Sequence, residues 1–168
     1  EMCIRDSSYT IYTNLHTNTA YSSLAAQVTK IFPITLNTFI IPTIYGRFIF
    51  NDGIPFMYSN VIGGEGYNPH YEQQIPFSGL THTESTLKLL GNAQIQVRHK
   101  FHEKQYLTLS GNYAIHQNQF SNFLQGKKIY GTSIGYGYDS PLGPIEGFIC
   151  YSNRTNKLGF YLNIGFGF

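Results

Sequence analysis

"IYGTSIGYGYD", residues Ile129 to Asp139, admits two readings. Gly131 to Gly135 spells G-x-S-x-G, the spacing of the nucleophile elbow of serine esterases and lipases, with Ser133 as the nucleophile. An elbow needs a strand, a sharp turn that exposes the serine, and then a helix. Here an alternation runs straight through the serine. Tyr130, Thr132, Ile134, Tyr136 and Tyr138 share one side, and Gly131, Ser133, Gly135, Gly137 and Asp139 share the other. Period two is the strand template. After Asp139 come Ser140-Pro141-Leu142-Gly143, turn residues with no helical pattern. The stretch predicts a strand, and Ser133 is read as a small inward residue, not a catalyst.

The same period recurs along the chain. In "LGFYLNIGFGF", Leu158, Phe160, Leu162, Ile164, Phe166 and Phe168 oppose Gly159, Tyr161, Asn163, Gly165 and Gly167. In "YLTLSGNYAIH", Leu107, Leu109, Tyr113 and Ile115 oppose Thr108, Ser110, Asn112 and His116. In "LKLLGNAQIQVRHKF", Leu87, Leu89, Ala93, Ile95, Val97 and Phe101 oppose a face that carries Lys88, Asn92, Gln94, Gln96, Arg98 and Lys100. Strands are predicted at 8–16, 20–32, 34–50, 82–101, 105–117, 129–139, 143–153 and 158–168. Pro42 falls inside one of them, where a missing N–H predicts a bulge or a local pairing defect.

Composition narrows the class. Charged residues make up 12% and aromatics 16%, with 14 Tyr, 13 Phe and no Trp, which argues against disorder. A net charge of +2 gives little support for a nucleic-acid partner. No apolar run reaches the ~18–20 residues of a membrane-spanning helix. Strands of ~9–11 residues or more, flanked by Tyr and Phe, suit tilted crossings of a bilayer instead. The fold class expected is all-β: the C-terminal half of an antiparallel transmembrane β-barrel, about eight strands of a larger barrel. The lipid bilayer is then the first partner.

Connection lengths supply orientation. The links at Phe32-Pro33-Ile34, His102-Glu103-Lys104 and 140–143 are short, whereas 51–81 and 118–128 are long. Outer-membrane barrels keep short turns on the periplasmic side and longer loops outside. Counting back from a periplasmic C-terminus puts all three short turns inside and both long loops outside. The last strand ends in Phe166-Gly167-Phe168, so Phe160, Leu162, Ile164, Phe166 and Phe168 form the pattern of a C-terminal barrel signal read by the barrel-assembly machinery. Glu1 to about Ser7 is similar to sequencing-adapter read-through, and the barrel domain is taken as 8–168.

"YGYDSPLGPIEGFICYSNRTNKLGFYLNIGFGF" (136–168), "YGRFIF" (45–50), "IPFMYSNVIGGEGYNPHYEQQIPFSGL" (54–80) and "LSGNYA" (109–114) resemble bacterial patatin-like phospholipase family proteins. Those proteins join a patatin hydrolase domain to a C-terminal barrel of the Omp85 superfamily. The resemblance implies a barrel of about sixteen strands. It makes Gly63, Gly64, Glu65 and Tyr67 part of a long external loop that folds back into the lumen. It also implies a missing N-terminal half with a Ser–Asp hydrolase upstream of this chain. The superfamily loop often carries an Arg-Gly-aromatic tip. Positions 62–79 contain no Arg, so anchoring by an arginine does not carry over.

Within the chain no catalytic residue, metal set or cofactor site is expected. His99 and His102 make an H-x-x-H at a strand end beside Glu103, without the three or four convergent ligands a metal needs. His70, His82 and His116 are expected to be exposed in or near loops. The Gly63-Gly64-Glu65-Gly66 stretch lacks the Gly-Lys-Ser/Thr ending of a phosphate loop. Lys88, Arg98 and Lys100 are expected to line the lumen and pair with Glu146 or other inward carboxylates. Cys150 is expected to be a small buried or inward residue.

Overall fold

In the computed structural model, the structure describes residues 2–14, 19–50, 58–64, 74–80, 82–141 and 143–165, with side chains from residue 22 onward. The long strands are β1 (Met2–Asn14), β2 (Thr19–Lys30), β4 (Thr38–Ile49), β8 (Leu89–His102), β9 (Gln105–Gln117), β10 (Lys127–Ser140), β11 (Gly143–Ser152) and β12 (Leu158–Ile164). Four short strands complete the set: β3 (Phe32–Thr35), β5 (Val61–Ile62), β6 (Gln74–Ile75) and β7 (Glu84–Ser85). The main sheet runs β1-β2-β4-β8-β9-β10-β11-β12, with β3 paired to β4. Every pairing in it is antiparallel. β5, β6 and β7 form a small second sheet. No helix among the described residues is long and apolar enough to cross a membrane; strands of 10–14 residues are the long elements of the main sheet, apart from the 7-residue β12.

The sheet is inside-out relative to a water-soluble one. On β9, Tyr106, Thr108, Ser110, Asn112 and Ala114 are buried while Leu107, Leu109 and Tyr113 are exposed. On β10, Ile129, Gly131, Ser133, Gly135 and Gly137 are buried while Tyr130, Ile134 and Tyr136 are exposed. Ile44 on β4 and Phe160 on β12 are 65% and 68% exposed. An apolar face of this size left open is stable only against hydrocarbon.

The opposite face is covered by the chain between β4 and β8. Ile62, Ile75, Phe77 and Leu80 pack with Leu90 of β8, Ala114 of β9 and Ile129 of β10, with Tyr45 of β4 against them. Tyr45, Asn92, Ala114 and Ile129 are consecutive ladder partners, and Leu90 lies on the next inward row, opposite Arg47 and His116, so the seat spans two neighbouring rows. It accounts for Leu90 and Ile129, apolar side chains on an otherwise polar face.

Three expectations change in detail. The wall strand does not begin at 82: Glu84–Ser85 pairs with β5, and the wall resumes at Leu89. Asn60 diverts this segment by donating from Nδ2 to the carbonyls of Leu87 and Lys88, both at 2.9 Å. The turn expected around Pro33 lies instead at Leu36 and Asn37. Phe32–Thr35 stays extended and pairs with β4, with a register shift between Pro33 and Thr35 where the proline has no N–H to give. β1 starts at Met2, with a register shift between Ile4 and Ser7, because ladder pairing does not require alternating side chains. Pro42 keeps its place in the β8 ladder opposite Ile95. On its other side the β2 ladder ends at Thr43 and β3 takes over at Ile40, so the pairing defect falls at the proline.

The two ends of the main sheet are open: among the described residues β1 pairs with β2 alone and β12 with β11 alone. Lipid penalises unpaired backbone groups severely. The isolated 168-residue chain is therefore expected not to insert as a stable monomer. Heat-modifiable gel migration of that chain in detergent or vesicles would contradict this.

Candidate functional site

The candidate site is the polar inner face, where two ladder rows carry different tasks. The upper row joins Gln96, Ser110, Ser133, Cys150 and Gly159 on β8 to β12. Ser110 and Ser133 hydroxyls lie 2.6 Å apart, and Ser78 of the covering segment reaches them at 2.9 and 3.2 Å. All three serines are buried. The partners of Ser133 are two hydroxyls, neither of them a base, so this arrangement holds the covering segment down and does not activate a nucleophile. Cys150, one strand over, is buried at 1% exposure.

The lower row joins Lys100, Tyr106, Gly137, Glu146 and Asn163. Glu146 is 3% exposed. It accepts a hydrogen bond from the Tyr106 hydroxyl at 2.7 Å and another from Asn163 Nδ2 at 3.4 Å. Arg98, on the adjacent row, lies 3.7 Å from Glu146 Oε1, with its guanidinium carbon 4.7 Å from the centre of the Tyr106 ring. Burying a carboxyl group is costly unless it is paired and hydrogen-bonded in this way. Lys100 itself is exposed at the strand end and lies outside the cluster.

The inward glycines of Ile129–Asp139 are the space these contacts need. A Cβ at Gly131 would overlap the carbonyl oxygen of Ser78, one at Gly135 the ring of Phe148, and one at Gly137 the ring of Tyr106. Tyr106 thus lies across β10 to reach Glu146 on β11. The G-x-S-x-G spacing is two seats flanking a latching serine.

The covering segment is held at its base by Arg47 of β4, which is buried. Its Nη1 donates to Asn60 Oδ1 at 3.3 Å and the Ser59 carbonyl at 3.4 Å, and its Nη2 to the Tyr58 carbonyl at 3.4 Å. Gly63 and Gly64 have φ of 107° and 74°, a left-handed region that favours glycine. The carbonyl of Gly63 accepts from Gln74 Nε2 at 2.8 Å. Glu65, Tyr67 and His70 lie outside the described residues, as do Phe166 and Phe168. Phe160, Leu162 and Ile164 are exposed on the apolar face. Lys88 sits at the bend before β8, partly exposed, its carbonyl bound by Asn60.

His99 Nδ1 is 2.9 Å from the Thr38 hydroxyl, and His82 is exposed. His116, expected to be exposed, is half-buried at the end of β9 and accepts the Leu87 N–H at 3.3 Å. The covering segment, which passes over that strand end, is the cause. Arg47, Asn60, Ser78 and Tyr106 were not singled out from the sequence. Arg47 alone carried a signal, as a charge within an apolar strand.

The β-wall, with its polar face inward and a chain segment folded over that face, agrees with a family comparison: the model of the OMP85 superfamily matches residues 5–168. The chain belongs to the OMP85 superfamily. This family places the chain among bacterial outer-membrane β-barrels. The match covers every strand from residue 5 on, including the covering segment between β4 and β8. Comparison with curated proteins and with solved structures returned no match.

Tyr106→Phe removes the short hydrogen bond to a buried carboxylate and is expected to cost about 1–3 kcal/mol. Gly137→Val drives the Tyr106 ring off Glu146 and is expected to cost about as much by overpacking. Urea titration of the full-length barrel folded into vesicles measures both. Midpoints equal to that of the parent protein would remove the lower row from the set of stabilising contacts.

Proposed function

We propose that this OMP85-superfamily chain is the C-terminal part of an outer-membrane barrel that anchors, and positions or exports, an upstream patatin-like lipid acyl hydrolase. The observation that carries the anchoring role is the inside-out wall, exposed apolar residues on one side and buried, hydrogen-bonded polar residues on the other. The hydrolase rests on the resemblance of 45–50, 54–80, 109–114 and 136–168 to patatin-like phospholipase family proteins. In this reading the N-terminal half of the barrel and the hydrolase precede the chain, and the barrel domain is 8–168.

Orientation follows from connection length. The turns at 36–37 and 103–104 and the turn residue Pro141 lie at the end of the sheet where β12 finishes, opposite Ile145. Short turns belong on the periplasmic side. The C-terminus is therefore periplasmic, where the apolar β12 is presented to the barrel-assembly machinery. The covering segment enters from the external end.

The family match supports a second reading equally: an OMP85-type assembly or transport barrel, with periplasmic POTRA repeats upstream in place of a hydrolase. Translating the gene upstream of this chain separates the two. A helix-opening G-x-S-x-G followed by a D-G-A/G motif supports the first, and POTRA repeats the second.

If the first reading holds, Ser133→Ala in the full-length protein is expected to leave ester hydrolysis unchanged. A p-nitrophenyl ester assay reads this directly. Loss of turnover in a variant that still shows heat-modifiable migration would move catalysis onto the barrel wall.

A further inference from the structure

The connection between β9 and β10 carries a feature that barrel anchoring does not use. It contains a 3-10 helical segment, Phe120–Gln125, with no buried residue. Such an external connection would ordinarily be polar, yet Phe120 is 58% and Leu124 76% exposed. The segment lies against the outward, apolar side of the sheet. Phe120 stacks near Phe50 at 6.2 Å and Phe48 at 5.7 Å between ring centres, and Phe123 meets Phe48 edge-on at 6.3 Å. Phe48 and Phe50 alternate with the buried, inward Arg47 and Ile49, so they belong to the lipid-facing side.

The wall is shaped to receive it. Gly46, Gly91, Ile115 and Lys128 are ladder partners in one row on that outward side. The two glycines leave a shallow seat, and a Cβ at Gly91 would come 3.0 Å from the Phe123 ring. Lys128 closes the row on that outward side and is exposed, whereas Lys127 alternates to the inner side, opposite His116. The patch is thus continuous with the apolar wall below and has a cation at its edge.

We propose that Phe120–Lys128 is an interfacial anchor, in which Phe120 and Leu124 enter the acyl region of the bilayer and Lys128 binds lipid phosphate. The occupant is a lipid surface because the patch continues the lipid-facing wall, and because aromatic and aliphatic tips beside a lysine match the boundary between acyl chains and headgroups. Cationic side chains at that level draw anionic headgroups. The inference rests on the barrel reading and goes beyond it by assigning the β9–β10 connection a membrane contact of its own.

The test uses the full-length protein folded into vesicles of phosphatidylcholine with or without phosphatidylglycerol. Leu124→Cys, at a position too exposed to disturb the fold, carries a polarity-sensitive fluorophore, and the parent protein taken through the same labelling gives the background. The expected result is blue-shifted emission, quenched by brominated acyl chains and not by aqueous iodide. The blue shift should be larger with phosphatidylglycerol, and Lys128→Gln should return it to the phosphatidylcholine value. A label quenched by iodide overturns the anchor, and so does one shielded from both quenchers, which would indicate cover by protein. Protein that floats with the vesicles while giving either result overturns the anchor alone; protein that does not float overturns the barrel reading with it.

Discussion

The structure depends on one constraint: a strand in lipid can place polar side chains on one side only. Hydrocarbon offers no hydrogen-bond partner, so every polar group must face inward and be satisfied there. Gln94, Gln96, Arg98, Thr108, Ser110, Asn112, Ser133 and Glu146 all face inward. Backbone pairing can satisfy the ladder but not these side chains. The chain between β4 and β8 meets part of that need by lying across the inner face, where Ser78 joins the hydroxyls of Ser110 and Ser133. Ladder neighbours meet another part, as when Tyr106, Arg98 and Asn163 surround Glu146.

Space is the second requirement. Side chains in adjacent strands of one row crowd each other, and a long residue can cross a strand only over a glycine. Gly135 and Gly137 receive the rings of Phe148 and Tyr106, and Gly131 receives the backbone of the covering segment at Ser78. The outward side uses the same device at Gly91, which receives the ring of Phe123. Buried ion pairs cost desolvation, and the Arg98–Glu146 pair offsets it by sharing Tyr106, as hydrogen-bond donor to one partner and ring beneath the other.

The strands of the wall were legible because their signal is local. Period-two alternation needs a few residues to declare itself, and it placed Arg98 and Glu146 on inward faces without any knowledge of neighbours. The segment 82–88 was misread as wall for the same reason. Its alternation is compatible with a strand, but the pull of Asn60 on the Leu87 and Lys88 carbonyls comes from 27 and 28 residues away. His116 looked exposed because nothing nearby in sequence covers it. The turn after β2 was placed at Pro33 on the rule that proline punctuates turns; β3 tolerates it at a bulge in a ladder formed on one side only.

The sequence by itself determined which side of each strand faces lipid, that Ser133 lies on an uninterrupted strand, and which connections are long, since these follow from the order of side chains along an extended backbone. Only the tertiary structure decided register. Register brought Lys100, Tyr106, Gly137, Glu146 and Asn163 into one row. It set Ser78 over Ser110 and Ser133, and it seated Phe123 on Gly91. A slip of a single residue would reverse the face of every side chain on a strand, and slips of two would keep the faces while dissolving each row. Alternation fixes the first and is blind to the second, so the rows exist only in the folded sheet.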